Sequence, residues 1–165
     1  GEVGGIKPSE FDLGNSPYEL SLANLTGQVL VQSTRAGTVG VAAASQTSKI
    51  YLGSFVTAKA TAKAVLQTSP TKVSIVAMGA EARVRTDEDE QCALYLRNLL
   101  EGRQPDPDAI RALVLAGKEA QKYGDPSQPQ FHPRDKDLAL QIDCFHFAIP
   151  VHRRGGLPIA IKEEA

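Results

Sequence analysis

The sequence predicts an α/β fold built on parallel strands, and two observations carry that reading. Gln28–Gln32, Lys49–Leu52 and Lys72–Met78 are short runs rich in Val, Ile and Leu, the pattern of strands buried on both faces. Helical patterns separate them, and a strand–helix–strand order requires parallel pairing through right-handed crossovers. Ligands of such sheets bind beyond the carboxyl ends of the strands. Here that edge gathers Ser33–Thr38, Gly53–Ser54 and Gly79–Glu81.

At 165 residues the chain is long enough for one domain with a sizeable core. Eighteen basic residues against 19 acidic ones give a net charge of −1, which argues against nucleic-acid partners. No apolar run reaches the length of a membrane span, and no signal peptide opens the chain, so no membrane partner and a cytoplasmic location are expected. Cys92 and Cys144 lie far apart without metal-ligand spacing and suit reduced thiols. The glycine-rich opening without Met suggests a fragment or processed piece.

Taken in order, residues 1–17 are punctuated by Gly and Pro and read as an extended loop. Tyr18–Leu22 alternates and predicts a short strand. Thr38–Gln46 follows the first buried strand as a short helix, with Gly37 and Gly40 permitting close backbone approach. After Gly53-Ser54, a helix carries Phe55, Ala58, Ala62, Val65 and Leu66 on one face until Ser69-Pro70 ends it. Residues 87–101 form the strongest helical pattern, with Cys92, Tyr95, Leu96, Leu99 and Leu100 as its apolar stripe. Pro107–Lys118 is a further helix facing inward through Ile110, Leu113 and Val114, and Asp135–Ile142 a shorter one. Phe145–Val151 and Leu157–Lys162 are strands joined around Arg153-Arg154-Gly155-Gly156, a hairpin signal.

Chemistry is expected first at the corner Ser33-Thr34-Arg35-Ala36-Gly37-Thr38. A strand entering a helix there presents free backbone N–H groups and the positive end of the helix dipole. Arg35 adds a planar fork of donors matched to phosphate or sulfonate oxygens. The plainer alternative is that Ser33 or Thr34 only caps the helix. In Phe11-Asp12-Leu13-Gly14-Asn15-Ser16-Pro17, a long polar loop with two apolar anchors reads as an ordered site loop. Asp87-Glu88-Asp89-Glu90 opens a helix behind Thr86, which suits a cap with acids complementing the dipole. The same carboxylates are candidate Mg²⁺ ligands, since Mg²⁺ takes one or two carboxylates with substrate phosphate and water. Glu2, Asp12 and Glu81 are further loop carboxylates, and His132, His146 and His152 show no ligand spacing.

Phe11–Pro17, Arg35-Ala36-Gly37-Thr38 and Gly53-Ser54-Phe55 together resemble the 2-phosphosulfolactate phosphatase family, called ComB. Gly1-Glu2-Val3-Gly4-Gly5 is similar to the Gly-Glu-x-x-Gly segment preceding that loop, and Glu88-Asp89-Glu90-Gln91-Cys92-Ala93 to a Glu-Asp-x-x-Cys-Ala segment. Leu140-Gln141-Ile142-Asp143 and Ile149-Pro150-Val151 extend the likeness toward the C-terminus. Departures are Val3 where the family usually has Arg, and His146 in place of a common aspartate. A family segment like Asp-Val-Leu-Arg-Ala has no counterpart.

The resemblance implies a three-layer α/β/α fold with a mixed, largely parallel sheet. It also implies that residues 1–165 are a single domain, the C-terminal portion of the protein. The implied activity is Mg²⁺-dependent hydrolysis of 2-phospho-3-sulfolactate to 3-sulfolactate and phosphate, a step of coenzyme M biosynthesis. Carried onto this chain, Glu2, Asp12 and Arg35 are the catalytic candidates. Asn15, Ser16, Ser33, Thr34, Arg35, Gly37, Thr38 and Ser54 would bind a small substrate bearing phosphate and sulfonate. Asp12, Glu88 and Asp89 would hold Mg²⁺. A homodimer, or a second chain supplying the missing N-terminal part, would be the partner. The alternatives are a non-catalytic domain that binds a small anion and a phosphatase for another small ester.

Overall fold

The computed structural model describes residues 1–44 and 46–165. Helices dominate: α1 (Pro17–Leu22), α2 (Gly37–Ala43), α3 (Ala58–Gln67), α4 (Asp87–Leu100), α5 (Pro107–Ala116) and α6 (Pro133–Ala139). Four short strands follow, β1 (Phe147–Ala148), β2 (Val151–Arg154), β3 (Leu157–Ala160) and β4 (Glu163–Glu164). The molecule is thus mixed α/β.

Local chemistry sets the helix ends. Ser16 accepts from the Glu19 amide at 3.0 Å, with Pro17 in the first turn. That cap turns Tyr18–Leu22 into helix α1, where alternation had predicted a strand. Asp106 caps α5 through the Asp108 amide, and His132 caps α6 by accepting from the Arg134 amide on Nδ1. Gly102, at φ +76°, closes α4 with the Gly102 amide on the Leu99 carbonyl and the Arg103 amide on Asn98. Helix α2 ends at Ala43, earlier than predicted, and Ser45 within the predicted span lies outside the described residues.

The core lies between α3, α4 and α5, where Phe55, Ala58, Tyr95, Leu96, Ile110, Val114 and Leu140 pack together, with Cys92 and Leu99 beside them. The predicted stripe of α4 therefore faces inward. Leu113 of α5 and Leu66 of α3, predicted inward, are exposed. Asp143 fastens this core to the C-terminal strands. Its carboxylate accepts from the Tyr95 hydroxyl at 2.6 Å and the Lys59 amide at 2.7 Å.

The parallel sheet expected from the sequence is not formed: among the described residues every paired strand is antiparallel. β2 and β3 form a hairpin at the predicted turn, with Arg154 opposite Leu157 and Gly155-Gly156 both at positive φ. The predicted strand Phe145–Val151 is split between β1 and β2, and Arg153 and Arg154, read as turn, belong to β2. β1 pairs with β4. Residues 50–52 add to this C-terminal unit, since the Leu52 amide bonds the Ile149 carbonyl and the Val151 amide bonds Ile50, each at 2.9 Å. The segments 29–33 and 71–78 run without regular pairing, and no backbone amide or carbonyl in them is hydrogen-bonded among the described residues. Their apolar patterns are those of buried strands, yet no neighbouring strand reaches them.

Candidate active site

A cleft of about 3070 Å³ is lined by those two segments together with residues of α3 and α4. Thr34, Arg35, Gly37 and Thr38 line it, as do Glu2, Asn15, Ser16, Glu88 and Asp89. Asp12, Ser33 and Ser54 are not among the residues facing it.

The corner after residue 33 is held by two threonines. The Thr34 amide donates to Thr38 Oγ1 at 3.1 Å, and that hydroxyl donates to the Thr34 carbonyl at 2.7 Å. The Thr38 amide returns to Thr34 Oγ1 at 3.3 Å. Both hydroxyls are thereby used locally, but neither Ser33 nor Thr34 is the N-cap of α2, which is Ala36 without a side-chain cap hydrogen bond. The amides of Arg35, Ala36 and Gly37 have no protein partner among the described residues. Arg35 Nη1 lies 2.5 Å from Glu81 Oε1, both side chains being about half exposed, so the pair is solvent-screened and exchangeable.

Asn15 approaches this corner, its Oδ1 accepting from Gln32 Nε2 at 3.5 Å. The rest of its loop is held from several sides. The Gly14 amide donates to Glu19, the Gly5 amide to Glu2, and the buried carboxylate of Asp135 accepts from the Ser16 hydroxyl at 2.6 Å and the Tyr18 amide at 2.9 Å. Ser16 thus serves the loop's own geometry, while Asp12 stands exposed. Ser54 shares a hydrogen bond with Thr57 at 3.0 Å at the start of the turn Phe55–Thr57.

Asp89 accepts from the Gly79 amide at 2.6 Å and pins the turn before α4. Gly79 is required there, because a Cβ would lie 2.0 Å from the Val84 carbonyl oxygen. In the same turn Glu81 and Ala82 both adopt left-handed φ, at +54° and +56°, a local strain that persists only where surrounding contacts impose it. Asp87 accepts from the Lys118 amide at 2.8 Å. Burial works to raise the Asp87 carboxyl, but hydrogen bonds from Glu88 and from the Lys118 and Glu88 amides outweigh it and hold it below its ordinary value. Burial pushes Glu88 the other way, up to about 7, helped by Asp87 and the charge of Asp89. Its Oε2 is buried without a hydrogen-bond partner, as are Thr86 Oγ1 and Gln91 Oε1. Tyr123 is raised by burial first and then by the charges of Asp135, Glu88 and Glu119.

An orphaned carboxylate oxygen is the kind of ligand a hard cation takes, so Glu88 fits Mg²⁺. Among the described residues, however, no three His, Cys, Asp or Glu side chains come close enough to enclose a metal ion. Glu88 and Asp89 share the cleft, and Asp12 is not with them. Asp135 and Glu19 escaped the sequence reading, since an acid in a helix's first turn looks like ordinary dipole compensation.

The model of the 2-phosphosulpholactate phosphatase family matches residues 1–129. The chain belongs to that family. A protein of Thermus thermophilus named probable 2-phosphosulfolactate phosphatase is 36% identical over 127 residues, covering 76% of this chain and 53% of that protein. A protein of the same name from Caldicellulosiruptor saccharolyticus is 39% identical over 110 residues, 64% of this chain and 45% of its own length. The Bacillus subtilis protein of that name is 29% identical over 161 residues, 96% of this chain and 69% of its own. The chain thus spans about half the length of the first two of these relatives. No solved structure matches it. No helix among the described residues is long and apolar enough to cross a membrane.

Proposed function

We propose that this chain forms part of a phosphatase acting on a small phosphomonoester, with 2-phospho-3-sulfolactate as the substrate. Its membership of a family whose relatives carry the phosphatase name supports the reaction class. The observation that carries the site is the Arg35–Gly37 corner, where free amides and a guanidinium line the cleft shared by Glu88 and Asp89. Arg35 and those amides would take the non-bridging phosphoryl oxygens, Arg35 exchanging Glu81 for substrate. Thr34 and Thr38 hold the corner in shape, and Asn15 and Ser16 border it. Glu88 and Asp89 would hold Mg²⁺, which when bound supplies positive charge against the phosphoryl oxygens. A cleft carboxylate such as Glu2 would orient the attacking water. The water oxygen bonds to phosphorus, the ester P–O bond breaks, and the proton passes to the departing alkoxide.

Arg35→Ala in the complete protein should lower kcat/KM by roughly 10²-fold or more on a panel of phosphoesters assayed with and without Mg²⁺. Unchanged turnover would remove Arg35 from the reaction. A second reading, a domain that binds a small anion without turning it over, is favoured by the use of Asp89 in a backbone turn and by Asp12 not lining the cleft. Phosphate binding that survives with no turnover of any ester would select it.

A further inference from the structure

In loop 11–17, Asn15 lines the cleft between two clamped neighbours. The Gly14 amide donates to Glu19 Oε2 at 2.8 Å, an approach so close that a Cβ on Gly14 would lie 2.7 Å from that oxygen. Ser16 donates its hydroxyl to Asp135 Oδ1 at 2.6 Å and accepts from the Glu19 amide at 3.0 Å. Its one O–H is spent there, so the Ser16 side chain has no donor left for a ligand. Asn15 differs. Its Oδ1 accepts from Gln32 Nε2 at 3.5 Å, while Nδ2 and the backbone N–H have no protein partner among the described residues.

The clamp at Ser16 comes from far along the chain. Asp135, buried in the first turn of α6, takes the Ser16 hydroxyl and the Tyr18 amide on one oxygen, across 119 and 117 positions of sequence. Among the described residues, these two and the Gln32 contact are the side-chain hydrogen bonds that tie 11–22 to distant sequence. Tyr18 also stacks on His132, the cap of α6, with ring centroids 4.3 Å apart. At the start of the loop, Gly1 sits between Phe11 and the Ser33 carbonyl with no room for a Cβ, which brings the loop against the approach to the Arg35 corner.

We infer that Asp135 is a positioning residue: by holding Ser16 it aims the Asn15 donors at the phosphoryl oxygens bound by the Arg35 corner. The inference rests on the phosphatase reading for its ligand, and it assigns Asn15 the contact and Ser16 the support. A donor misplaced by about 1 Å loses most of its value to a bound group, so a site needs its contacting side chains locked from behind. Glu19 cannot supply that lock alone, because its bonds stay within the loop and α1.

The test is a double-mutant cycle between Asp135 and Asn15 in the complete protein, read by affinity for inorganic phosphate and by turnover of a phosphoester panel. Asp135→Ala should raise the phosphate Kd and the ester KM by about tenfold while kcat changes far less, the pattern of lost uniform binding. Asn15→Ala should do the same, and the double variant should be no worse than about twofold beyond either single one, because Asp135 acts through Asn15. Asp135→Asn keeps a carbonyl oxygen where both bonds end and should stay within about threefold of the wild type. Asp137→Asn, exposed on the same helix, is the control and should change nothing. Exchange of the Tyr18 and Glu19 amides should quicken by about tenfold in Asp135→Ala, with α5 unchanged. If Asp135→Ala does not fold, Ser16→Ala takes its place in the cycle with the same expectation.

Effects that multiply in the double variant overturn the inference. So does a wild-type phosphate Kd and KM in Asp135→Ala despite faster exchange at Tyr18, and so does a wild type that binds no phosphate. Phosphate binding without turnover of any ester would refute the phosphatase reading alone, since the cycle on phosphate affinity still decides what Asp135 does.

Discussion

The α3–α4–α5 region and the cleft-lining segments use equally apolar sequence to opposite ends. Tyr95 is fully buried and Leu96 nearly so, whereas Val29 and Val31 face open space. A helix closes its hydrogen bonds within itself and needs only an apolar neighbour for one stripe. A strand must borrow both its hydrogen bonds and its neighbours from elsewhere in the chain. The helical region therefore satisfies its own hydrogen bonds, whereas 29–33 and 71–78 are extended segments whose backbone groups find no partner among the described residues.

The sharpest way to break that contrast is to truncate the core. Leu96→Ala should destabilise the chain by about 2–5 kcal/mol in urea unfolding. A loss below about 1 kcal/mol would mean that the core is as loose as the cleft. Next comes the clasp between α4 and the C-terminal unit. Tyr95→Phe deletes the hydroxyl donating to Asp143 and should cost about 1–3 kcal/mol by the same measurement. An unchanged midpoint would show that the Lys59 amide and ammonium satisfy Asp143 alone.

A pH-dependent effect concerns the border between the two regions. Glu88 is raised from 4.5 to about 7 in the folded chain. Between those values the folded state keeps a proton that the unfolded state has lost, so stability falls as pH rises. The contribution is full below about 4.5 and gone above about 7. Glu88→Gln should flatten the stability profile in that window, and an unaltered slope would assign the dependence to another group. The smallest effect is expected at the cleft itself. Val31→Ala should shift the stability of the chain by no more than about 0.5 kcal/mol. A larger loss would reveal packing at Val31 that its exposure hides.

The site shows the same division. The loop 11–17, the corner at Arg35 and the acids at 87–90 were visible as motifs, and the cleft brings Asn15, Thr34, Arg35, Thr38, Glu88 and Asp89 to its walls. Their individual duties were not visible. Ser16 bonds to Asp135 across 119 positions of sequence, and Asp89 spends one oxygen on Gly79. No local pattern encodes which distant donor a carboxylate will meet, and Asp12 reads like Asp89 until the chain is folded. Tyr18–Leu22 was misread for a different reason: a short alternating run fits a strand or a helix, and the Ser16-Pro17 cap decides between them.

By itself, the sequence determined helices α2 to α6, the core stripe of α4 and the Gly155-Gly156 turn, because each depends on contacts within a few residues. It missed α1, and the cap expected at Thr86 makes no side-chain bond. It also determined the family, since long ordered motifs outlast changes elsewhere. Only the tertiary structure decided that 50–52 joins an antiparallel C-terminal unit, and that 29–33 and 71–78 flank a cleft rather than a sheet. The physical reason is that strand pairing is a property of two segments at once, and no segment's own residues state whether its partner is within reach.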